Sequence, residues 1–290
     1  MTEHSVTNPV TAGKTALVVE GGGMRGIFST GVLDAFMKLS FNPFDLCIGV
    51  SAGANNTAAY LGNMYRRNYK VFTDYSVRPD FISWKKFIRG GHLMDLDWLW
   101  ETTIRELQID RDTLFRSSSQ FIIGVTEVES GRSVYLEPHA DNLEQLLKAS
   151  SAIPVIYRSF VEVDGVRYVD GGITDSIPVL EAYRRGAAKI MVLRSRPESY
   201  MMHSSKNNLI TRWSLHRYPR LLRALENRAH TYQEAIAFMR NPPAGVQVIE
   251  VNPPEGFRTE RLTKDMEILE ADYKLGYEMG EQLVRDWEPL

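Results

Sequence analysis

Short apolar runs that end in glycine alternate along this chain with stretches in which apolar residues recur at helical spacing. Positions 15–20 form the first run and close on Gly21-Gly22-Gly23; Asp45-Leu46-Cys47-Ile48-Gly49-Val50 forms a second. Runs of this length bounded by glycine predict buried strands. Between them Ile27, Val32, Leu33, Phe36 and Met37 keep a helical period until Asn42-Pro43 stops it, and the Ala- and Leu-rich stretch 52–64 predicts another helix. The chain thus opens β-α-β-α, which favours a mostly parallel sheet with helices on its faces and sites at the carboxyl ends of strands.

Further on, 120–128 and 132–137 alternate around Glu129-Ser130-Gly131, and 160–163 and 166–169 flank Asp164-Gly165, so two β-hairpins are expected and the sheet is mixed. A helix over 178–185 leads to a buried strand over 189–193. From about Pro197 helical patterns dominate, with a late strand at 247–251. The expected fold class is α/β, a three-layer α/β/α arrangement around a mostly parallel mixed sheet. The expected organisation is a flexible leader over 1–13, a core over 14–195, and a mainly helical extension over 196–290 packed on that core.

Composition narrows the functional classes. The 290 residues are 43% hydrophobic and 24% charged, as in an ordinary globular protein, and a net charge of −2 argues against a general nucleic-acid binder. Positions 1–14 lack the basic and apolar regions of a secretory signal, and no apolar run approaches the ~20 residues that cross a bilayer. One cysteine, Cys47, allows no intrachain disulfide and reads as strand packing. A cytoplasmic location is the simplest expectation.

Candidate chemistry sits where the strands end. In Gly49-Val50-Ser51-Ala52-Gly53 the serine falls at a sharp strand-to-helix turn that exposes its hydroxyl, and Gly49 and Gly53 remove side chains that would collide there. Gly21-Gly22-Gly23-Met24-Arg25-Gly26 turns backbone N–H groups toward an anion ahead of a helix. That anion is either a phosphate, since Gly21, Gly23 and Gly26 satisfy GxGxxG, or the oxyanion of an acyl transfer. A dinucleotide site wants an acidic residue at the end of the second strand, where this chain has Gly49-Val50-Ser51. Asp170-Gly171-Gly172 closes a third strand, and strand carboxyl ends on one edge of a parallel sheet would bring Asp170 to Ser51. Asp95 with Asp97 and Asp110 with Asp112 lack the remaining ligands of a calcium loop and read as helix caps, so no metal site and no cofactor are expected.

These blocks, with Ala149-Ser150-Ser151-Ala152-Ile153-Pro154 between the second and third, resemble in content and order the patatin-like lipid acyl hydrolases, here the short soluble bacterial branch. The resemblance spans roughly 15–193. It implies hydrolysis of lipid carboxylic esters by a Ser51–Asp170 dyad through an acyl-enzyme. It further implies oxyanion donors at Gly22, Gly23 and Met24, support of that loop by Arg25 and Gly26, turns at Gly171 and Gly172, and a pocket wall at 149–154. Tyr273-Lys274-Leu275-Gly276-Tyr277 looks like that branch's helical extension. Glu20 departs from the pattern, standing where aspartate or a small residue is more usual. Two alternatives stay open: a Ser-His-Asp esterase using His203, His216 or His230, and a non-catalytic lipid- or partner-binding protein on the same fold. The basic, amphipathic stretch 212–232 and Trp84-Lys85-Lys86-Phe87 read either as surface covering the core or as peripheral membrane contacts. The expected partner is a lipid or other acyl ester substrate, with no nucleic acid; oligomeric state is not legible.

Overall fold

A computed structural model describes residues 13–203 and 209–288; the proposed leader lies, apart from its last residue, outside the described residues. Among the described residues eight strands form one sheet: β1 Lys14–Val19, β2 Leu46–Val50, β3 Gln120–Glu127, β4 Ser133–Leu136, β5 Val161–Val163, β6 Val166–Asp170, β7 Ala187–Leu193 and β8 Gln247–Val251. The order is β5-β6-β3-β2-β1-β7-β8, with β4 paired to β3. Pairs β1/β2, β1/β7, β2/β3 and β7/β8 are parallel, while β3/β4, β3/β6 and β5/β6 are antiparallel. Both expected hairpins form, and β8 extends the sheet beyond β7, so the C-terminal part joins the core through backbone pairing as well as helix packing.

The central strands are continuous apolar runs because both faces are covered. In β1, Leu17 and Val19 face the helix Ile27–Lys38 through Phe28, Val32 and Phe36, while Ala16 and Val18 face the helices Val179–Arg184 and Pro219–Arg240 through Ala182, Tyr232 and Ile236. Cys47 is fully buried in β2, and burial pushes its thiol up to about 12, which keeps it protonated. Asp95 and Asp110 cap helices, accepting from the Trp98 and Thr113 N–H groups at 3.1 and 2.9 Å.

The last helix, Met266–Arg285, crosses Ile27–Lys38 at backbone contact. A Cβ on Gly31 would lie 2.2 Å from the Tyr273 carbonyl oxygen, and one on Gly276 would lie 2.1 Å from that of Phe28. Beside this crossing the Asp34 carboxylate is buried, accepting from the Tyr273 hydroxyl at 2.8 Å and the Arg66 N–H at 3.0 Å. Burial outweighs these donors and raises its pKa to about 6. The native state therefore holds a proton that the unfolded chain has already lost between pH ~4 and ~6, and stability falls as pH rises through that window, by about 2–3 kcal/mol. Asp34→Asn is expected to flatten this slope. Urea unfolding at pH 4.5 and 7 checks it; an unchanged slope would assign the pH dependence to other groups.

Candidate active site

The register around β3 decides how Ser51 meets Asp170. Gly124 pairs with Val50 on one side and Tyr135 on the other; Val125 pairs with Asp170 and Val134. Since β4 occupies one edge of β3 at both positions, β2 and β6 share the opposite edge. They run toward each other, so their carboxyl ends meet head to head. Convergence comes from this antiparallel meeting, not from the parallel neighbours expected from sequence.

Ser51 has φ 55° and ψ −126°, a backbone state that costs a non-glycine residue about 1–3 kcal/mol and turns the chain sharply from strand into helix. Crowding explains both flanking glycines: a Cβ would come within 2.5 Å of Ala54 Cα at Gly49 and 2.3 Å of the Val19 carbonyl oxygen at Gly53. The Ser51 N–H donates to Ser150 Oγ at 2.7 Å, and Ser150 in turn donates to the Gly124 carbonyl at 2.7 Å. Asn55 Nδ2 holds the Ser51 carbonyl at 3.1 Å and also reaches Ser151 Oγ. The stretch expected as pocket wall thus also clamps the turn. Its two adjacent serines were the available signal, but nothing in the sequence pairs Ser150 with Ser51.

The Ser51 hydroxyl faces the buried Asp170 carboxylate, which also accepts the Gly172 N–H at 2.7 Å. Burial raises the Asp170 pKa above the usual carboxylate range, against the lowering effects of the Ser51 hydroxyl, the Gly172 amide, Arg228 and Arg261. A stronger base than a free aspartate results. Gly171 lies flat on β3, with room for no Cβ beside the Gly124 carbonyl oxygen at 2.3 Å.

The glycine loop packs directly on the serine turn: a Cβ on Gly21 would meet Ser51 Cβ at 2.9 Å. Gly23 has φ +59°, and no acceptor among the described residues takes the Gly22 or Gly23 N–H. The Met24 N–H, expected to face an oxyanion, donates instead to the Arg261 carbonyl at 3.1 Å. Arg25, expected to support the loop, lies close enough to Glu20 and Glu260 for both to raise its pKa. It is 4% exposed, and its Nε and Nη1 have no hydrogen-bond partner. The Gly26 carbonyl is the anchored atom, accepting from Asn56 Nδ2, Ser29 and Thr30. Glu20 ties the loop's start to β7, accepting the Ser195 N–H at 2.6 Å.

Two cavities open beside Ser51. One is largely apolar, lined by Phe72, Phe81, Leu96, Leu99, Trp100 and Leu147 together with Ser51 itself. The other holds Gly22, Ser51, Asp170, Arg228 and Arg261. Neither contains a histidine; His203 lines an adjoining cavity, and His216 and His230 are exposed. Among the described residues no group of carboxylates, histidines and cysteines could hold a metal ion. The Pro219–Arg240 helix buries Leu221, Ala229 and Tyr232 against the core, which accounts for most of the apolar side of 212–232. Sequence reasoning missed the apolar wall, the clamp that Ser150 makes on the turn, and the placement of Arg228 and Arg261 beside the serine.

The site is thus a serine on a strained strand-to-helix turn that faces a buried aspartate beside a glycine loop. The family model described as patatin-like phospholipase matches residues 17–183, and a second, described as a domain of unknown function (DUF6363), matches 218–290. The chain belongs to the patatin-like phospholipase family. It is 38% identical over 275 residues to the uncharacterized protein YjjU of Escherichia coli K12, covering 92% of this chain and 76% of that protein. It is 25% identical over 189 residues to lysophospholipase NTE1 of Lodderomyces elongisporus, covering 61% of this chain and 12% of that protein. Among solved structures, VipD from Legionella pneumophila aligns with TM-score 0.46 and 13% identity, covering 94% of this chain and 67% of that one. The membership points to lipid acyl hydrolysis. No helix among the described residues is long and apolar enough to cross a membrane.

Proposed function

We propose that this protein is a serine acyl hydrolase that cleaves carboxylic esters of lipids with a Ser51–Asp170 dyad. The observation that carries the proposal is the Ser51 hydroxyl facing the buried Asp170 carboxylate while Ser51 also lines the apolar cavity. Asp170 takes the hydroxyl proton as Ser51 Oγ attacks the ester carbonyl, and the Gly22 and Gly23 N–H groups receive the oxyanion. As the intermediate collapses, the leaving alcohol takes the proton from Asp170. Water then attacks the acyl-enzyme, passing a proton to Asp170, and the fatty acid leaves as the proton returns to Ser51.

In this reading the apolar cavity receives the acyl chain. Leu99→Trp, which fills it, is expected to raise the ratio of short-chain to long-chain ester hydrolysis by on the order of tenfold. Rates on matched esters of graded length check this, and an unchanged ratio would remove the cavity from the acyl path. Access to a lipid surface is assigned to the exposed apolar residues Trp84, Ile88 and Trp213, which stand beside Lys85, Lys86 and Arg212. Anionic vesicles are expected to sediment the protein at low salt and to release part of it at high salt; no sedimentation at either would end this assignment.

A further inference from the structure

Two turns flank Ser51, and both are gripped from the C-terminal part of the chain. Arg228, on the helix Pro219–Arg240, donates from Nε to the Gly172 carbonyl at 2.6 Å. Arg261 accepts the Met24 N–H on its own carbonyl at 3.1 Å and lies over Gly23, where a Cβ would meet Arg261 Cγ at 2.9 Å. Both arginines fall within 218–290, the stretch matched by the family model of unknown function. We propose that this stretch is a working part of the serine site and that Arg228 is its positioning residue: it holds the Asp170 turn in register with Ser51 and sets a fixed positive charge beside the carboxylate. The proposal rests on the Ser51–Asp170 reading and adds to it a group from outside residues 17–183.

The grip on the turn is the first argument. Asp170 Oδ1 accepts the Gly172 N–H at 2.7 Å, so the direction of the carboxylate depends on where Gly172 sits. At its other end Gly172 is held through its carbonyl, by Arg228 Nε and by Ser176 Oγ, which donates at 3.0 Å. Arg228 Nη2 also reaches Ser176 Oγ, at 3.4 Å, so one guanidinium braces both the carbonyl and its second donor. Gly171 has no room to shift toward β3, because it already lies against the Gly124 carbonyl. Losing the Nε donor frees the turn on its open side, where a displacement of about 1 Å costs on the order of 10²-fold in rate.

Charge is the second. Among the described residues that line the cleft, Asp170 is the one carboxylate, and the cations are Arg25, Arg228 and Arg261. Arg228 and Arg261 lower the Asp170 pKa, together with the Ser51 hydroxyl and the Gly172 amide, against the larger effect of burial. Glu20, Glu226, Arg196 and His203 line the adjoining cavity, which the same three arginines border. Burial makes Asp170 a stronger base, but unopposed it would also keep the carboxyl protonated to higher pH. An arginine limits that rise at every working pH, and its planar fork lets Nε hold the turn while Nη2 reaches Ser176.

Anchorage is the third. The helix carrying Arg228 buries Ala229 and Tyr232, and the Tyr232 hydroxyl accepts from Arg194 Nη2 at 2.7 Å. Arg194 precedes Ser195, whose N–H is held by Glu20 at the start of the glycine loop. The segment carrying Arg261 is clamped by the fully buried Asp272, whose Oδ2 accepts the Thr259 N–H at 2.7 Å and the Arg258 N–H at 3.1 Å. Each arginine therefore stands on a fixed base, as a group that positions another must.

The test compares Arg228→Met, Arg228→Gln and Arg228→Lys with wild type, using a soluble short-chain ester across pH and urea unfolding for the fold. Arg223→Gln, exposed on the same helix, is the control. Arg228→Met is expected to lower kcat on the pH plateau by on the order of 10–100-fold with little change in KM, and to move the acid limb to higher pH. Arg228→Gln, which can still donate to the Gly172 carbonyl, should recover part of the plateau but keep the displaced limb. Arg228→Lys should return the limb to its wild-type position, and Arg223→Gln should match wild type throughout. An unchanged plateau in Arg228→Met, or an equal loss in Arg223→Gln, would overturn the positioning role. A limb that stays in place in both neutral variants would overturn the charge role. A lower urea midpoint with kcat and limb unchanged would make Arg228 purely structural and overturn the proposal. If wild type hydrolyses no ester, the serine hydrolase reading fails; titration of the Asp170 carboxyl by carbon NMR, in Ser51→Ala with and without Arg228→Gln, still decides whether Arg228 holds that carboxylate ionised.

Discussion

Asp170→Asn is expected to lower kcat on lipid esters by about 10³–10⁴-fold with little change in KM, and Ser51→Ala by at least as much. Both changes are nearly isosteric, and the Gly172 N–H that Asp170 accepts can still be satisfied by the asparagine oxygen, so the fold should survive. The pH profile follows from the same geometry. Only the carboxylate can take the serine proton, so activity is lost as pH falls through the Asp170 pKa, which burial holds above the ordinary carboxylate range. Arg228 and Arg261 oppose that rise. Neutralising Arg261 should therefore move the acid limb to higher pH. Steady-state rates across pH, with circular dichroism for the fold, check these outcomes. Equal rates in wild type and Asp170→Asn would remove the dyad.

Gly276→Val carries the second large effect, here on stability. Helix propensity alone favours replacing a mid-helix glycine. The gain is overridden, because the first side-chain carbon would stand 2.1 Å from the Phe28 carbonyl oxygen and the two helices must part. A loss of about 3 kcal/mol or more is expected, seen as a lower urea midpoint. Gly256→Ala is the control, since nothing lies within 4 Å of its added carbon, and it should stay within about 0.5 kcal/mol. The effect should reach the active site too. Asp272, on the same helix, clamps the segment that carries Arg261, whose carbonyl holds Met24 beside the glycine loop. A Gly276→Val protein as stable as wild type would mean that the helix crossing contributes little.

The strands, both hairpins and the glycine-bounded turns were legible because each is a local pattern: apolar runs of strand length that stop at residues with conformational freedom. β8 was legible for the same reason, despite lying in the helical third. That Ser51 lies near Asp170 was expected from strand ends gathered on one sheet edge as well as from the family resemblance, but the geometry of the approach was not. Whether β6 runs with or against β3 depends on which edge of β3 remains open after β2 and β4 have paired, and no local pattern encodes that. The apolar cavity comes mostly from helices between positions 67 and 115; in Leu96–Glu106 the lining residues Leu96, Leu99, Trp100, Thr103 and Ile104 keep a helical period, but no local pattern says that this face borders Ser51 rather than the sheet. Arg228 and Arg261 look like ordinary surface arginines in the sequence. Tertiary packing alone turns them toward the serine, by way of Gly172 and Met24.

The nucleophile is tested most directly by covalent capture. An alkyl fluorophosphonate should phosphonylate the serine activated by Asp170, with loss of fluoride, leaving one adduct per chain. Peptide mass mapping is expected to place that adduct on Ser51, with labelling abolished in Ser51→Ala and slowed about 10³-fold in Asp170→Asn. An adduct on any other serine, or undiminished labelling in Asp170→Asn, would contradict the account.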